Sequence, residues 1–396
     1  MKVALVHDYL NQYGGAERVL EVFCEIWPKA PIFTLVYDAK KTGYAFADKK
    51  IITSFLQKIP FARRHHRPFL FLMPSAIEQF DLSKYDIIVS DSASYAKGII
   101  TKADTLHICY CHTPIRYAWD DSHKYIEEFG YPFFVKKFIP FFMNYIRLWD
   151  ELAATRVDKF IANSFFVAKR IKKYYKQEAK IIYPPVKTNI FYISKKPKGY
   201  FLAIGRFLPY KRFDLIIRVF NKLGWPLKII GDGPERKKLK RLARSNIEFV
   251  GLISDLELRD YYANCRAFIF PQEEDFGLTA CEAMASGRPV IAFRGGGALE
   301  IMQEGKTGIF FGKQNVKCLI GALRRFQTMK FDPLLIRECV LKLDKEIFKT
   351  KIKNFVEEEW IKFKNRKNEF FQPGQTLSLS FKEATLRNKS NHDCNL

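Results

Sequence analysis

Two glutamates eight positions apart, Glu274 and Glu282, are the residues of this chain best suited to hold a ligand. Glu274 falls in the loop after an apolar run, and Glu282 one turn into the helix that the following residues predict. Phe276, Gly277 and Leu278 lead into that helix, so their backbone N–H groups are free to meet an anion at its positive end. An ionised carboxylate accepts two hydrogen bonds at once and suits a vicinal diol. A solvated loop Glu and a first-turn Glu that merely steadies the helix dipole are the plain alternative. Two cations, Arg206 and Lys211, sit between another apolar run and another helix start. They suit an anion on which charge grows, although a solvated helix start would look the same. Gly15 follows the first apolar run and lets backbone approach a ligand where any Cβ would intrude. Its alternative is an ordinary turn. His112 ends a probable strand and precedes Thr113-Pro114, where a ring could meet a hydroxyl or simply pack.

The elements that must position these residues alternate along the chain. Strands are expected at Lys2–Val6, Ile32–Tyr37, Ile87–Ser90, Leu106–Cys111, Lys159–Ala162 and Ile181–Tyr183, and a helix at Ala16–Trp27. From Tyr200 a second array begins. Strands are expected at 200–204, 227–230, 247–250, 267–270, 289–293 and 308–311. Helices are expected at about 211–223, 234–244, 255–264 and 279–286, then at 315–328 and 334–366. Two strand–helix–strand arrays imply an α/β protein with two doubly wound parallel sheets, and ligands in such sheets bind at the carboxyl ends of the strands. The expected division is a first domain at 1–186, a linker at 187–199 and a second domain at 200–345. A C-terminal helix at 346–371 packs back on the first domain, and a disordered tail occupies 372–396.

These strings together resemble the retaining glycosyltransferases of GT-B fold, specifically glycosyltransferase family 4. Pro271–Val290 resembles the family's Glu-x7-Glu motif. Gly14-Gly15-Ala16-Glu17-Arg18-Val19 looks like its N-terminal glycine loop, and Gly205-Arg206 through Lys211 and Asp214 like its phosphate motif. Gly231-Asp232-Gly233-Pro234 and Phe249-Val250-Gly251 match its next two strand ends. Cys109 through Asp120 is similar to a string in bacterial O-antigen mannosyltransferases. The resemblance implies a GT-B fold of two facing Rossmann-like domains and a hexose, most simply mannose from GDP-mannose, moved with retention. The acceptor would be a lipid-linked oligosaccharide or polysaccharide in cell-surface glycan assembly. It further implies that Arg206 and Lys211 stabilise the leaving diphosphate, Glu274 binds the sugar, Glu282 the ribose, and Val250 and Gly251 border the base. His112 lines the sugar pocket, and Asp8 is a weaker candidate for touching the acceptor. No Asp-x-Asp string precedes the donor site, so no metal or other cofactor is expected. The rivals are a UDP-sugar-dependent family 4 transferase, a nucleotide-sugar epimerase, and a non-catalytic scaffold. Gln272 and Asp275 depart from the family's usual residues, Asp275 adding negative charge beside the sugar.

Composition sets the outer limits. The 396 residues carry 66 basic and 42 acidic side chains, a formal net charge of +24. A single basic module would concentrate that excess. Residues 1–180 hold 27 basic and 19 acidic side chains, residues 181–312 hold 21 and 13, and residues 313–396 hold 18 and 10, so each segment nets +8. Spread this way, the charge argues against nucleic acid and for an anionic membrane surface. Arg63–Met73, Phe133–Ile146 and Lys169–Lys176 mix basic and aromatic residues, as an interfacial segment would. No apolar stretch is long enough to span a bilayer, and Met1–Val6 is too short for a signal-peptide core. Eight cysteines without a Cys-x-x-Cys pair read as free thiols in a reducing compartment. The expected location is therefore the cytoplasm, peripherally bound to the inner face of the cell membrane.

Overall fold

A computed structural model describes residues 1–61, 63, 67–120 and 133–370. Among the described residues, thirteen strands form two wholly parallel sheets. The first contains β1 (Val3–His7), β2 (Ile32–Thr34), β3 (Ile51–Thr53), β4 (Ile87–Ser92), β5 (Leu106–Cys111), β6 (Lys159–Ala162) and β7 (Ala179–Ile181), in the spatial order β3-β2-β1-β4-β5-β6-β7. The second contains β8 (Phe201–Ile204), β9 (Leu227–Ile230), β10 (Ile247–Gly251), β11 (Ala267–Phe270), β12 (Val290–Phe293) and β13 (Gly308–Phe311), in the order β10-β9-β8-β11-β12-β13. Helices cover both faces, so the central strands read as continuous apolar runs such as Ala267-Phe-Ile-Phe270, buried throughout. The two doubly wound sheets expected from the alternation are therefore present.

Each sheet has a point where the strand order reverses, and there the crossovers leave a crevice for a ligand. In the first sheet it lies between β1 and β4, in the second between β8 and β11. Glycines let the chain turn at the second. Gly231 has φ +136, and a Cβ there would stand 2.0 Å from the carbonyl oxygen of Gly205. The edge strand β3 escaped the sequence reading because three residues leave no periodicity to read.

The stretch expected as one helix at 334–366 is two, Pro333–Leu341 and Lys345–Phe370. Asp344 ends the first and starts the second by accepting the Glu346 N–H at 2.9 Å. Among the described residues, Met1–Ile352 forms one compact unit and the helix from Lys353 to Phe370 belongs to a second. Within the first unit, Phe348 stacks on Phe23 with centroids 5.9 Å apart and meets Tyr110 edge-on at 5.8 Å. The expected tail at 372–396 lies outside the described residues.

Candidate active site

Arg206 follows β8, and Lys211 closes the short turn Pro209–Lys211 before the helix Phe213–Leu223. Glu274 lies in the loop between β11 and the helix Leu278–Ala285, so both motifs stand at the second sheet's reversal point. Lys211 Nζ contacts Glu274 Oε1, and Gln272 donates to the same oxygen at 3.1 Å. Burial, with Arg116 adding to it, pushes the Lys211 ammonium down to about 7, while Asp275 opposes the shift. The Glu274 contact is what a buried ammonium needs to stay charged. Below this loop, Gly296 (φ +59) and Gly297 pack so tightly that a Cβ on Gly296 would lie 2.2 Å from the Glu274 carbonyl oxygen. Glu274 is thus fixed by backbone contact rather than by its side chain alone.

The glycine loop faces this site from the first sheet. Gly14 caps the helix Gly15–Ile26, and its N–H donates to Glu17 Oε2 at 2.8 Å. A Cβ on Gly15 would meet Leu278 Cδ1 at 3.2 Å, so the expected freedom of this position is used against the opposite half. Arg206 Nη1 donates to Gln12 Oε1 at 2.9 Å, which ties the phosphate motif to the same loop. Gly277 caps the helix Leu278–Ala285 with φ +111, and Phe276 is buried in a stack on Tyr183. Gly251, with φ +95, ends β10 beside the partly buried Val250, and a Cβ on Gly251 would meet open space.

Glu282 is held by two donors. Both its oxygens are taken: Arg18 Nη1 donates to Oε1 at 2.6 Å and the Tyr262 hydroxyl to Oε2 at 2.8 Å. Arg18 also reaches Asp255 at 2.8 Å. Burial raises the Glu282 carboxyl above its usual range, against the pull of Arg18 and Tyr262. Each oxygen keeps a second lone pair, so a ribose hydroxyl can add to these donors or replace one of them. Arg18 stood inside the glycine-loop string without a role, and Tyr262 carried no signal at all.

Asp275 makes several contacts across the cleft. Arg170 Nη1 donates to its Oδ1 at 2.7 Å, Thr113 donates at 3.3 Å, and Arg116 stands 3.8 Å from Oδ2. Arg170 also contacts Thr113 and Asp120. The charge expected beside the sugar is thus neutralised by two arginines. Within the basic-aromatic stretch Lys169–Lys176, Arg170, Ile171 and Tyr175 are buried, while Lys169, Lys172, Lys173 and Lys176 are exposed. Glu300 completes the bridge by accepting the Phe165 and Phe166 N–H groups at 2.7 and 2.8 Å, at the start of the helix Phe165–Tyr175.

At the first sheet's reversal point, His112 Nε2 donates to Asp91 Oδ1 at 2.6 Å, and His7 Nδ1 donates to Asp91 Oδ2 at 2.9 Å. Neither His7 nor Asp91 was singled out in the sequence. The signal available was Ser90-Asp91-Ser92, a polar end to an apolar strand. Asp8, expected weakly at the acceptor, is committed elsewhere. Its buried carboxylate accepts the N–H groups of Ala93, Tyr95 and Ala96 at 2.6–2.7 Å. That carboxylate holds the turn after β4, and the geometry gives no support to an acceptor contact.

Two family descriptions match the chain in succession. Glycosyltransferase Family 4 matches residues 13–190, and Glycosyl transferases group 1 matches residues 187–333. The chain belongs to the family 4 glycosyltransferases. An uncharacterized glycosyltransferase of Methanocaldococcus jannaschii is 32 % identical over 174 residues, 43 % of this chain and 49 % of the relative. A GDP-mannose-dependent alpha-mannosyltransferase of Corynebacterium glutamicum is 34 % identical over 117 residues, 29 % of this chain and 27 % of the relative. The chain thus spans about half or less of these relatives' own length. Among solved structures, Anabaena HepE in complex with UDP-glucose superposes with a TM-score of 0.67 at 16 % identity, covering 90 % of this chain and 100 % of that one. That likeness establishes the GT-B fold of this family 4 protein.

Proposed function

We propose that this protein transfers a hexose, with mannose from GDP-mannose as the leading donor, onto a lipid-linked glycan with retention of configuration and without a metal. The observation that carries the reading is the convergence of Lys211, Glu274 and Arg206 with the glycine loop in one cleft. A departing diphosphate develops charge, and the exposed Arg206 and the more enclosed Lys211, both held by partners in the cleft, are placed to favour that charge. Glu274 supplies the acceptor oxygens for the sugar, and the bound diphosphate takes over the Lys211 contact. Among the described residues the Glu274 and Asp275 carboxylates of the site are paired with cations, and in this reading the acceptor hydroxyl attacks from the side the phosphate leaves and passes its proton to that phosphate. GDP-mannose dependence in a relative favours guanine and mannose. UDP-glucose in a structural neighbour of the same fold keeps a UDP-sugar as the second reading.

Release of nucleoside diphosphate from a panel of GDP- and UDP-sugars tests the donor. Turnover confined to GDP-mannose is the expected result, and turnover confined to a UDP-sugar moves the second reading to first place. Lys211→Ala and Glu274→Ala proteins that keep their circular dichroism spectrum should lose about 10²–10³ in kcat, the usual cost of a preorganised electrostatic group. Undiminished turnover in Lys211→Ala would sink the electrostatic mechanism.

The membrane reading rests on the helix Phe133–Thr155. Phe138, Phe141, Tyr145, Leu148 and Leu152 recur at three- and four-residue spacing and are all exposed, while Ile139, Met143, Ile146 and Ala153 are buried behind them. Among the described residues no helix is long and apolar enough to cross a membrane, so this stripe lies along a bilayer surface in the proposal.

A further inference from the structure

Three strand ends and one helix bring four titratable side chains together beneath the glycine loop. β1 contributes His7, β4 Asp91, the residue after β5 His112, and the helix Gly15–Ile26 Glu17. His7 and Asp91 are direct partners in the β1–β4 register, so strand pairing itself fixes the contact. Asp91 is completely buried and accepts from both imidazoles, one on each oxygen. A buried carboxylate with its pKa held down accepts only, so the ring nitrogens facing it both carry hydrogen. That assigns the proton of His112 to Nε2. Its Nδ1 is left with no hydrogen-bond partner among the described residues, and the side chain is partly exposed.

His7 is the second half of the arrangement. Its Nε2 stands 3.7 Å from Glu17 Oε1 and its Nδ1 2.9 Å from Asp91, with the ring almost wholly buried. Burial opposes its charge, but the two carboxylates overcome this and raise its pKa to about 10. Tyr110, edge-on to His112 at 5.2 Å, and Cys24 have their pKa values pushed up by burial. A lone carboxylate beside His112 would drive it to the imidazolium. A carboxylate already balanced by a buried cation pulls less.

We propose that His7 governs the protonation of His112 through the carboxylate the two rings share, keeping Nδ1 of His112 an acceptor for a substrate hydroxyl. His7 is then a positioning residue, and the proposal rests on the reading that His112 touches the donor sugar. Glu17 extends the chain of contacts to the Gly14 N–H, so the same cluster also orders the glycine loop.

The test is His7→Asn, whose side-chain amide can still donate to Asp91 but carries no charge. The titration of His112, followed by nitrogen-edited NMR of ring-labelled protein without donor, should move up by about one pH unit or more. The acid limb of the kcat/KM profile should move up with it, and turnover at high pH should return towards the parent value. A merely structural loss would lower the whole profile without moving its limb. An unmoved titration and limb in a folded His7→Asn protein overturn the proposal. Should that variant fail to fold, the parent protein decides. At pH 7.5 the NMR must show His7 protonated on both nitrogens and His112 on Nε2, and a neutral His7 overturns it. His112→Ala separates the two readings: full turnover there removes the role of His112 while leaving the titration coupling to stand or fall by NMR.

Discussion

At the scale of single residues, the charged groups of the cleft are paired with one another. Lys211 is matched to Glu274, Arg18 to Glu282, Arg170 to Asp275, and Arg206 hydrogen-bonds Gln12. Removing one member of a buried pair costs more than the pair itself contributes, because the remaining charge is stranded in a poor solvent. Arg18→Ala should therefore destabilise the protein by about 3–5 kcal/mol in urea unfolding, and Arg18→Ala with Glu282→Gln should recover most of that. Tyr262→Phe removes one hydrogen bond from the same carboxylate and should cost about 1–3 kcal/mol. Equal stability of the Arg18→Ala and double-variant proteins would show that the Glu282 charge is not what the arginine offsets.

At the scale of elements, the cleft is held by loops and helix starts rather than by a packed interface. The Asp275 carboxylate keeps Arg170 satisfied from across the cleft, and Glu300 caps the helix Phe165–Tyr175 from the same side. Asp275→Ala removes the carboxylate that Arg170 reaches across the cleft, while Asp120 still contacts the same guanidinium, so one tie between the halves is lost. The expected outcome is a larger radius of gyration by small-angle scattering without donor, and an unchanged radius would refute the role. The strands behind these loops were legible because a parallel sheet buried on both faces demands runs such as Val290-Ile-Ala-Phe293. The motif residues Arg206, Lys211, Glu274 and Gly277 were legible as well, since each sits at a fixed distance from a strand end. Their partners were not. Arg18 and Glu282 are 264 residues apart, and no local pattern marks which cation will face which carboxylate. His7 was hidden for a related reason. A polar residue closing an apolar strand reads as its end, and only the β1–β4 register shows that it opposes Asp91.

At the scale of the whole molecule, the net charge of +24 and the aromatic stripe on the helix Phe133–Thr155 call for the same experiment. Flotation with anionic vesicles should carry the protein upward at low salt and release it as salt screens the charge. Phe141→Ser with Leu148→Ser should reduce flotation while leaving the melting temperature unchanged, since both side chains are exposed. Flotation equal to the parent would remove the stripe from the proposal. One further contact governs how the molecule is made. Phe348 is wedged against Phe23 and Tyr110, so the first half of the chain lacks a piece of its interior until residue 348 has been made. At about 5–20 residues per second, a ribosome that has finished β5 needs tens of seconds to reach that phenylalanine. Through that interval two aromatic rings of the nascent chain stand uncovered, and they form a natural recognition site for a chaperone that waits on synthesis.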